Sequence, residues 1–486
     1  MYQLEKSPFS NVGNSLVSLL RERTSYQTSH TVYTFLDKGE AEKCSLTYGQ
    51  LDKKARELGS ILYNLGLQGK RALLMYSPGL DFIVAFFGCL YAGVIAVPVY
   101  PPKRNQSLDR LQTIIKDCQA TEVLTTSTIK GKLEESLVNY PELSSLKWLA
   151  TDNLPKRISD KNFNLPDINQ EDLAFLQYTS GSTGNPKGVM VTHGNLLHNE
   201  RMIQQAFGHT DQTIFVGWLP LFHDMGLIGN ILQPLYLGIP CILMSPVDFL
   251  QRPYRWLKAI SDYGATTSGG PNFAYDLCVR KVTPEQLETL DLSSWKVAFN
   301  GAEPVRAQTL NAFAQKFAPC GFRPDAFYPC YGMAEATLFI TGGLQSQVPK
   351  QKTIDEKALA DNRIVEVSSQ QAQSQTLVSC GKAWLEQTLK IVDPNTLTEC
   401  QPNQVGEIWL SGGSVAQGYW QQPQKTQETF EAYLANTQEG PFLRTGDLGF
   451  VAEDGELFVT GRLKDVMIIR GRNHYPQDIE LTVEQS

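Results

Sequence analysis

The residues with the most distinctive chemistry lie between Tyr178 and Gly188, where the chain reads Tyr-Thr-Ser-Gly-Ser-Thr-Gly-Asn-Pro-Lys-Gly. Glycines allow successive backbone N–H groups to point to one side and form an anion-binding nest. Hydroxyl groups add hydrogen-bond donors, and the lysine adds a positive charge that suits a phosphate. The segment is therefore predicted to bind a polyphosphate through Thr179, Ser180, Gly181, Ser182, Thr183, Gly184 and Lys187.

Two other interpretations of this segment fit less well. A flexible Ser/Gly connector is not expected to end in Pro-Lys-Gly between apolar runs, and residues 172–178 and 189–192 are both typical of buried strands. A Walker A loop requires Gly-Lys-Ser/Thr after four intervening residues. Counting from Gly181, that place is held by Pro186, and Gly188 follows Lys187. The pattern favours a different phosphate-binding loop, held between two strands.

Length and composition restrict the class of protein. A chain of 486 residues is too long for one compact core and predicts two or more domains. Its net charge of −7 and its lack of a long basic run argue against a nucleic-acid partner. The nine cysteines are scattered, without a C-x-x-C pair, and are predicted to be reduced thiols in a cytoplasmic protein. The first residues lack the pattern of a signal peptide.

An uncharged segment, residues 82–100, is about long enough to cross a bilayer. Gly88, Gly93 and Pro98 divide it, and its second half is rich in β-branched residues. These features favour a buried helix to about Ala92, followed by a buried strand at 94–99. No membrane span is predicted.

Strands and helices alternate along most of the chain, which predicts an α/β fold with mostly parallel sheets and helices on both faces. We expect an N-terminal α/β subdomain at 1–180 and a second at 181–343. Residues 344–376 are rich in Gln and Ser and are predicted to be an insertion. Short strands separated by turns over 377–460 predict a small antiparallel β-barrel subdomain.

Beyond the phosphate loop, four further motifs follow in order. They are Asn300-Gly-Ala-Glu-Pro304, Tyr331-Gly-Met-Ala-Glu-Ala-Thr337, Arg444-Thr-Gly-Asp447 and Gly461-Arg-Leu-Lys-Asp465. In sequence, order and approximate spacing the set resembles the adenylate-forming superfamily, which includes acyl-CoA synthetases, luciferases and the adenylation domains of nonribosomal peptide synthetases. The resemblance covers about residues 46–484. It implies that the protein uses ATP and Mg²⁺ to convert a carboxylic acid into an acyl adenylate.

The resemblance also implies a role for each motif. Lys187 and the phosphate loop hold the β- and γ-phosphates, Glu335 is a Mg²⁺ ligand, and His223 lines the site of the substrate carboxylate. Asp447 and Arg462 lie at the ribose, and Lys464 is the hinge within residues 461–465. Lys187, His223 and Glu335 are thus the expected catalytic residues. The residues expected around adenine are Gly301, Ala302, Glu303, Tyr331, Gly332, Met333 and Ala334.

Within the superfamily, the chain looks like the fatty acyl-AMP ligases. The features that carry this resemblance are the segment 219–227, Leu-Pro-Leu-Phe-His-Asp-Met-Gly-Leu, the turn 269–273, the segment 461–480 and the insertion at 344–376. In that family the acyl group passes to the phosphopantetheine thiol of an acyl carrier protein, and the insertion is associated with failure to make acyl-CoA. The insertion is expected to dock through Ile354, Leu359, Ile364, Val365 and Val367. An apolar acyl pocket is expected from Met225, Leu227, Ile228, Ile231, Phe273 and Leu277.

The resemblance further implies a C-terminal α+β domain with a lysine that meets the α-phosphate. Residues 466–486 are expected to be its start, and a chain without the remainder is expected to form adenylate slowly. Three alternatives stay open at this stage: an acyl-CoA ligase, an amino-acid-activating domain with Asp224 as ammonium partner, and a non-catalytic module that binds ATP or lipid. The apolar run 227–235 favours a hydrocarbon substrate over an amino acid.

Overall fold

The computed structural model describes residues 13–102, 108–137, 141–154, 165–179, 186–368, 371, 373–465, 467–469 and 472–474. The chain divides into two compact units. The first unit comprises Met1–Glu200 with Leu219–Ser245, and the second comprises Arg201–Trp218 with Pro246–Ser486. The boundary predicted at residue 180 falls inside the first unit, because the strands on both sides of the phosphate loop pair with each other.

The α-helices of the described residues range from one turn to about five. In chain order they are α1 Leu16–Gln27, α2 Tyr48–Asn64, α3 Leu80–Tyr91, α4 Asp109–Cys118, α5 Ser127–Leu137, α6 Pro141–Ser144, α7 His193–Ala206, α8 Gln233–Leu237, α9 Pro246–Gln251, α10 Tyr254–Tyr263, α11 Asn272–Lys281, α12 Pro284–Leu287, α13 Ala307–Phe317, α14 Glu356–Ala360 and α15 Pro423–Phe430. A π-helix, Met225–Leu232, precedes α8. Short 3₁₀-helices lie at Thr151–Asn153, Ala318–Cys320, Pro324–Ala326 and Ala334–Ala336.

The strands are short, as is usual between helices. In chain order they are β1 Thr31–Asp37, β2 Ala41–Thr47, β3 Arg71–Met75, β4 Ile95–Val99, β5 Glu122–Thr125, β6 Lys147–Ala150, β7 Leu173–Thr179, β8 Lys187–Thr192, β9 Phe215–Gly217, β10 Cys241–Leu243, β11 Thr267–Gly270, β12 Val297–Asn300, β13 Phe327–Gly332, β14 Phe339–Gly342, β15 Gln351–Asp355, β16 Ser374–Val378, β17 Lys382–Ala383, β18 Thr388–Val392, β19 Gly406–Ser411, β20 Leu443–Val451, β21 Leu457–Arg462, β22 Met467–Ile469 and β23 Arg472–His474.

Local signals set the start of α2. Thr47 caps the helix: its hydroxyl accepts from the Gln50 N–H at 3.2 Å, and Gln50 Oε1 accepts from the Thr47 N–H at 3.0 Å. This reciprocal capping box satisfies two donors that a helix end would otherwise leave free. Helix α2 therefore begins at Tyr48, directly after its N-cap.

The uncharged segment 82–100 forms α3 and then β4. A side chain at Gly88 would lie 2.7 Å from the Leu58 side chain, so the glycine permits close packing of α3 against α2. The predicted buried helix and buried strand are confirmed. Within the described parts of the chain, no helix is long and apolar enough to cross a bilayer.

The first unit contains a six-stranded sheet in the order β6-β5-β3-β4-β7-β8. All neighbours in it are parallel except β7 and β8, which form an antiparallel hairpin. In the same unit, β1 pairs parallel with β10 and antiparallel with β2. The predicted strand–helix alternation and the mostly parallel pairing are confirmed.

The second unit contains four parallel strands side by side, β9-β11-β12-β13, extended by the antiparallel strands β14 and β17. A separate antiparallel sheet follows in the order β18-β19-β20-β21. The antiparallel character predicted for residues 377–460 is confirmed. The predicted barrel is not closed in the described residues, because β18 and β21 are the two edges of an open sheet.

The insertion is more regular than its composition indicates. β15 and β16 pair antiparallel from Gln351↔Val378 to Asp355↔Ser374, and α14 lies between them in sequence. Ile354, Leu359 and Ile364 are buried as predicted, in one cluster with Leu377 of β16, Val405 just before β19, and Leu448, Phe450 and Phe458 of the antiparallel sheet. Val365 is 43% exposed and is not an anchor, because its neighbour Ile364 takes the inward position. Val367 is only half-buried.

Candidate active site

Several predicted ATP-binding residues lie where the parallel strands of the second unit end. Gly301, Ala302 and Glu303 follow β12, and Tyr331 and Gly332 close β13. Half-buried Met333 and buried Ala334 come directly after β13. Because β12 and β13 are parallel neighbours, both motifs are delivered to the same edge of the sheet, which is where ligands bind in open α/β sheets.

The backbone at this edge adopts conformations that most side chains avoid. Ala302 has φ +68° and Thr337 has φ +69°, so each nucleotide motif contains a non-glycine residue in the left-handed region. Such residues cluster at functional sites, because the surrounding structure must compensate their strain. Thr337 is held by a hydrogen bond from its hydroxyl to the Ser414 carbonyl at 2.6 Å. A Cβ at Gly301 would lie 2.8 Å from the Cys330 carbonyl oxygen, so β12 and β13 approach closely there.

Tyr331, Asp447 and Arg462 form one hydrogen-bonded group. The Tyr331 hydroxyl donates to Asp447 Oδ2 at 2.7 Å, and Arg462 Nε donates to Oδ1 at 3.1 Å. The Asp447 side chain is 9% exposed, whereas that of Arg462 is 60% exposed. Burial raises the pKa of Asp447, and the Tyr331 hydroxyl and the Arg462 guanidinium oppose this shift. The group therefore presents an acceptor and a solvent-facing cation, as recognition of a ribose diol requires.

Glu407 and Arg444 form an ion pair close to Asp447, and Glu407 lies outside every motif described above. Glu407 is 2% exposed and accepts hydrogen bonds from Arg444 Nε at 3.0 Å and Arg444 Nη2 at 2.8 Å. It also accepts from Trp409 Nε1 at 2.9 Å and from the Gly446 N–H at 3.2 Å. These bonds hold the turn that leads into Asp447. The only signal in the sequence was an acidic residue inside an apolar strand, β19.

Glu335 lies in the 3₁₀-helix Ala334–Ala336. Its Oε1 accepts from the Tyr419 hydroxyl at 2.8 Å, and its carbonyl accepts from the Ala416 N–H at 2.9 Å. The carboxylate is thus oriented by the segment after β19. Among the described residues no cluster of three or more His, Cys, Asp or Glu forms a metal site. One carboxylate fits Mg²⁺, which is usually bound through one or two carboxylates together with substrate phosphates.

Glu303 and Phe273 are linked in the second unit. Glu303 Oε1 accepts from the Phe273 N–H at 2.5 Å, and partial burial raises the pKa of Glu303. Phe273 is 39% exposed and contacts the Trp218 ring edge-on, with centroids 6.1 Å apart. Leu277 is half-buried one turn later on α11. Two residues of the expected acyl pocket, Phe273 and Leu277, are therefore accessible to solvent, and Phe273 is hydrogen-bonded to Glu303 of the expected adenine site.

The phosphate loop joins two paired strands of the first unit. Thr179 and Lys187 face each other at the loop end of the β7–β8 hairpin, so the strands hold both ends of the loop in register. Ser180, Gly181, Ser182, Thr183 and Gly184 lie outside the described residues. Their predicted role stays a prediction.

The turn that carries His223 is attached to the phosphate-loop strand. Gln177 Nε2 on β7 donates to the Phe222 carbonyl at 3.1 Å. His223 Nδ1 lies 2.5 Å from Asp224 Oδ1, and the same oxygen accepts from the Met225 N–H at 2.6 Å. Asp224 raises the pKa of His223, against a smaller opposing effect of burial. A partly exposed, cation-prone imidazole beside the loop suits attraction of a carboxylate.

The other expected acyl-pocket residues lie on the π-helix, directly after Asp224. Leu227, Ile228 and Ile231 are 0% exposed, and Met225 is 9% exposed. They are packed into the interior of the first unit. Their role in lining an acyl pocket stays a prediction, and Met225 is the member nearest the surface.

Lys464, the predicted hinge, is exposed two residues after β21 ends. The hinge position is preceded by a hydrogen bond from the Leu463 N–H to the Gly446 carbonyl at 2.9 Å, which ties it to the Asp447 turn. Helix α14 of the insertion lies beside β23, which follows the hinge. The insertion therefore contacts the backbone that a hinge motion would displace.

The chain matches the AMP-binding enzyme family over residues 20–420. It belongs to that family. The medium-chain fatty acid–acyl carrier protein ligase JamA of Moorena producens is 50% identical over 479 residues, which are 97% of this chain and 81% of the relative. The long-chain fatty acid–AMP ligase FadD23 of Mycobacterium tuberculosis is 38% identical, over 98% of this chain and 82% of the relative.

Comparison with solved structures also supports this family membership. The crystal structure of fatty acyl-adenylate ligase from Legionella pneumophila, in complex with acyl adenylate and pyrophosphate, is 46% identical and aligns with a TM-score of 0.89. The alignment covers 100% of this chain and 83% of that structure. The membership in the adenylate-forming superfamily predicted from the five motifs is confirmed.

Proposed function

We propose that this chain activates a medium- or long-chain fatty acid with ATP, forms acyl-AMP and pyrophosphate, and transfers the acyl group to the phosphopantetheine thiol of an acyl carrier protein. The observation that carries the adenylation step is the Tyr331–Asp447–Arg462 group at the carboxyl edge of the parallel strands. The relatives named above support the fatty acid and the carrier protein. A cytoplasmic location is proposed as well, supported by nine cysteines that are all free.

In the proposed reaction, an oxygen of the fatty acid carboxylate attacks the α-phosphorus of ATP and pyrophosphate leaves with the bond electrons. Two anions must meet, so positioning and charge neutralisation are the main requirements. In this proposal His223 attracts the carboxylate and Lys187 neutralises the leaving phosphates. Asp447 and Arg462 bind the ribose. Mg²⁺, when bound through Glu335, would neutralise phosphate charge as a Lewis acid.

The proposal is tested by incubating the protein with ATP, Mg²⁺ and fatty acids of six to sixteen carbons. Pyrophosphate release is measured, and products are identified by mass spectrometry with CoA or a carrier protein as acceptor. Asp447→Asn should reduce pyrophosphate release at least tenfold, because the ribose loses a charged acceptor worth about 1.5–3 kcal/mol. Exposed Asp211→Asn is the matched control. Acyl-CoA as the main product would identify a CoA ligase instead, and absence of any adenylate would contradict the proposal.

A further inference from the structure

Asn230 lies inside the π-helix and is completely buried. Neither its side-chain oxygen nor its side-chain nitrogen has a hydrogen-bond partner in the part of the chain that the structure describes. An amide that loses water and gains no hydrogen bond is costly, and such groups are rare in native interiors. π-Helices themselves occur mostly at functional sites. The Asn230 amide can therefore hydrogen-bond to a ligand without losing a partner within the described residues.

Two main-chain carbonyls at this position, by contrast, accept hydrogen bonds from buried side chains. The Asn230 carbonyl accepts from Cys241 Sγ at 3.1 Å, and the Ile231 carbonyl accepts from the Tyr33 hydroxyl at 2.8 Å. These side chains come from β10 and β1, which pair with each other. Buried side chains of β10 and β1 therefore donate to the backbone of the π-helix, whereas the side-chain amide of Asn230 makes no hydrogen bond within the described residues.

The position of Asn230 relates it to the substrate. In a helix bonded from residue i to residue i+5, residues five apart lie near one face, so Asn230 follows Met225 along that face. Met225 is adjacent to Asp224, which orients His223 at the expected carboxylate site. Of the expected acyl lining, Met225 shares this face with Asn230, and Ile231 is the next residue in the chain. An acyl chain that runs from His223 along the π-helix would pass this amide.

We infer that Asn230 is a specificity residue that binds a hydroxyl or oxo group carried on the acyl chain. This inference rests on the proposed fatty acid activation and names the class of acid that the site takes. An unsubstituted chain cannot hydrogen-bond to the amide, whereas a correctly placed hydroxyl or oxo group can. Sites built to hydrogen-bond a substrate group discriminate strongly against analogues that lack it.

The test compares decanoic acid with its hydroxy- and oxo-substituted positional isomers. For the wild-type protein, kcat/KM for pyrophosphate release should be at least about tenfold higher for one substituted isomer than for decanoic acid. Asn230→Leu, which keeps the same branching at Cγ without polar atoms, should abolish this preference and leave activity on decanoic acid equal or higher. Ile228→Val, on the same helix, should alter rates without changing the preference.

Equal ratios of substituted to plain acid in wild type and Asn230→Leu would overturn the inference. The absence of pyrophosphate release with every acid would instead contradict the proposed function. If Asn230→Leu does not fold, ligand-induced shifts in the Tm of the wild-type protein decide the matter. A larger shift with one substituted isomer than with decanoic acid supports the inference, and equal shifts across the series contradict it.

Discussion

The Tyr331 hydroxyl donates to the Asp447 carboxylate at 2.7 Å and joins two motifs that are 116 residues apart in sequence. One motif comes from the end of a parallel strand and the other from the antiparallel sheet. The hydrogen bond thus fixes Tyr331, the residue expected at adenine, relative to Asp447, the residue expected at the ribose. Neither motif could establish this geometry by itself.

Removing the Tyr331 hydroxyl should weaken ATP binding selectively. Tyr331→Phe keeps the ring but removes a hydrogen bond to a charged group, which is worth about 1.5–3 kcal/mol. We expect the KM for ATP to rise about tenfold while the KM for fatty acid is unchanged, as measured by pyrophosphate release. Tyr433→Phe, at a side chain 47% exposed, is the control. Equal changes in both KM values would contradict a role specific to ATP.

Breaking the buried Glu407–Arg444 pair should destabilise the second unit. Glu407→Ala leaves the guanidinium half-buried and unpaired, and loss of one partner of such a pair costs about 3–5 kcal/mol. Urea unfolding measures the loss. The double variant Glu407→Leu with Arg444→Met should regain much of it, because neither charge is then buried alone. Simply additive losses in the double variant would show that the pair does not hold the turn before Asp447.

The phosphate-loop lysine should act on the rate of adenylate formation. Lys187→Ala removes a charge-assisted contact worth about 1.5–3 kcal/mol, so ATP–pyrophosphate exchange should slow roughly tenfold or more. Lys70→Ala, at an exposed lysine of the same unit, controls for net charge. An unchanged exchange rate in a folded Lys187→Ala protein would place this lysine outside the site.

The insertion is predicted to restrain acyl-CoA formation. Excising residues 350–372 would remove Ile354, Leu359 and Ile364 from the cluster and unpair β16, so point variants are better probes. Leu359→Ala should cost about 2–5 kcal/mol of docking and allow some acyl-CoA to form while adenylate formation stays near normal. Val365→Ala, at an exposed side chain of the same segment, should neither weaken docking nor allow acyl-CoA to form. If Leu359→Ala folds, makes adenylate and yields no acyl-CoA, absence of a CoA-binding surface is the better explanation.

Acid should destabilise the first unit through His193. Burial lowers the pKa of His193 to about 4, and its Nδ1 accepts from the Leu16 N–H at 3.3 Å. In the unfolded chain the pKa of His193 is about 6.5, so between about pH 6.5 and 4 the unfolded state binds a proton that the native state does not bind. The contribution of His193 to the free energy of unfolding should therefore be fully present above about pH 6.5 and decrease as the pH falls toward 4. His193→Gln should flatten the dependence of Tm on pH, and parallel curves for both proteins would contradict this.

Features set by neighbouring residues were predictable from sequence. The Thr47 cap, the break between α3 and β4 and the motif positions all depend on residues within a few places of one another. Three insertion anchors were predicted because apolar residues in a polar segment must be buried somewhere. Their destination, beside Phe450 and Phe458, depends on pairing over a long sequence separation.

Two features of the site had no unambiguous local signature. Residues 225–232 are apolar or glycine except for Asn230, so no periodicity distinguished a π-helix from an α-helix. An acidic residue within the apolar strand β19 required a cationic partner, but nothing in the sequence selected Arg444 rather than another arginine. Tertiary contacts decided both outcomes, and both concern residues close to the proposed chemistry.

The discontinuity of the first unit has a consequence for biosynthesis. Its sheet β2-β1-β10 takes its last strand, Cys241–Leu243, from a segment separated from the rest of the unit by residues 201–218. Chains emerge from the ribosome from the N-terminus at about 5–20 residues per second. The edge of β1 that pairs with β10 is therefore synthesised about 10–40 s before β10 is complete. Slow codons or a chaperone acting over residues 48–245 are therefore expected to influence the yield of folded protein more than the same perturbation later in the chain.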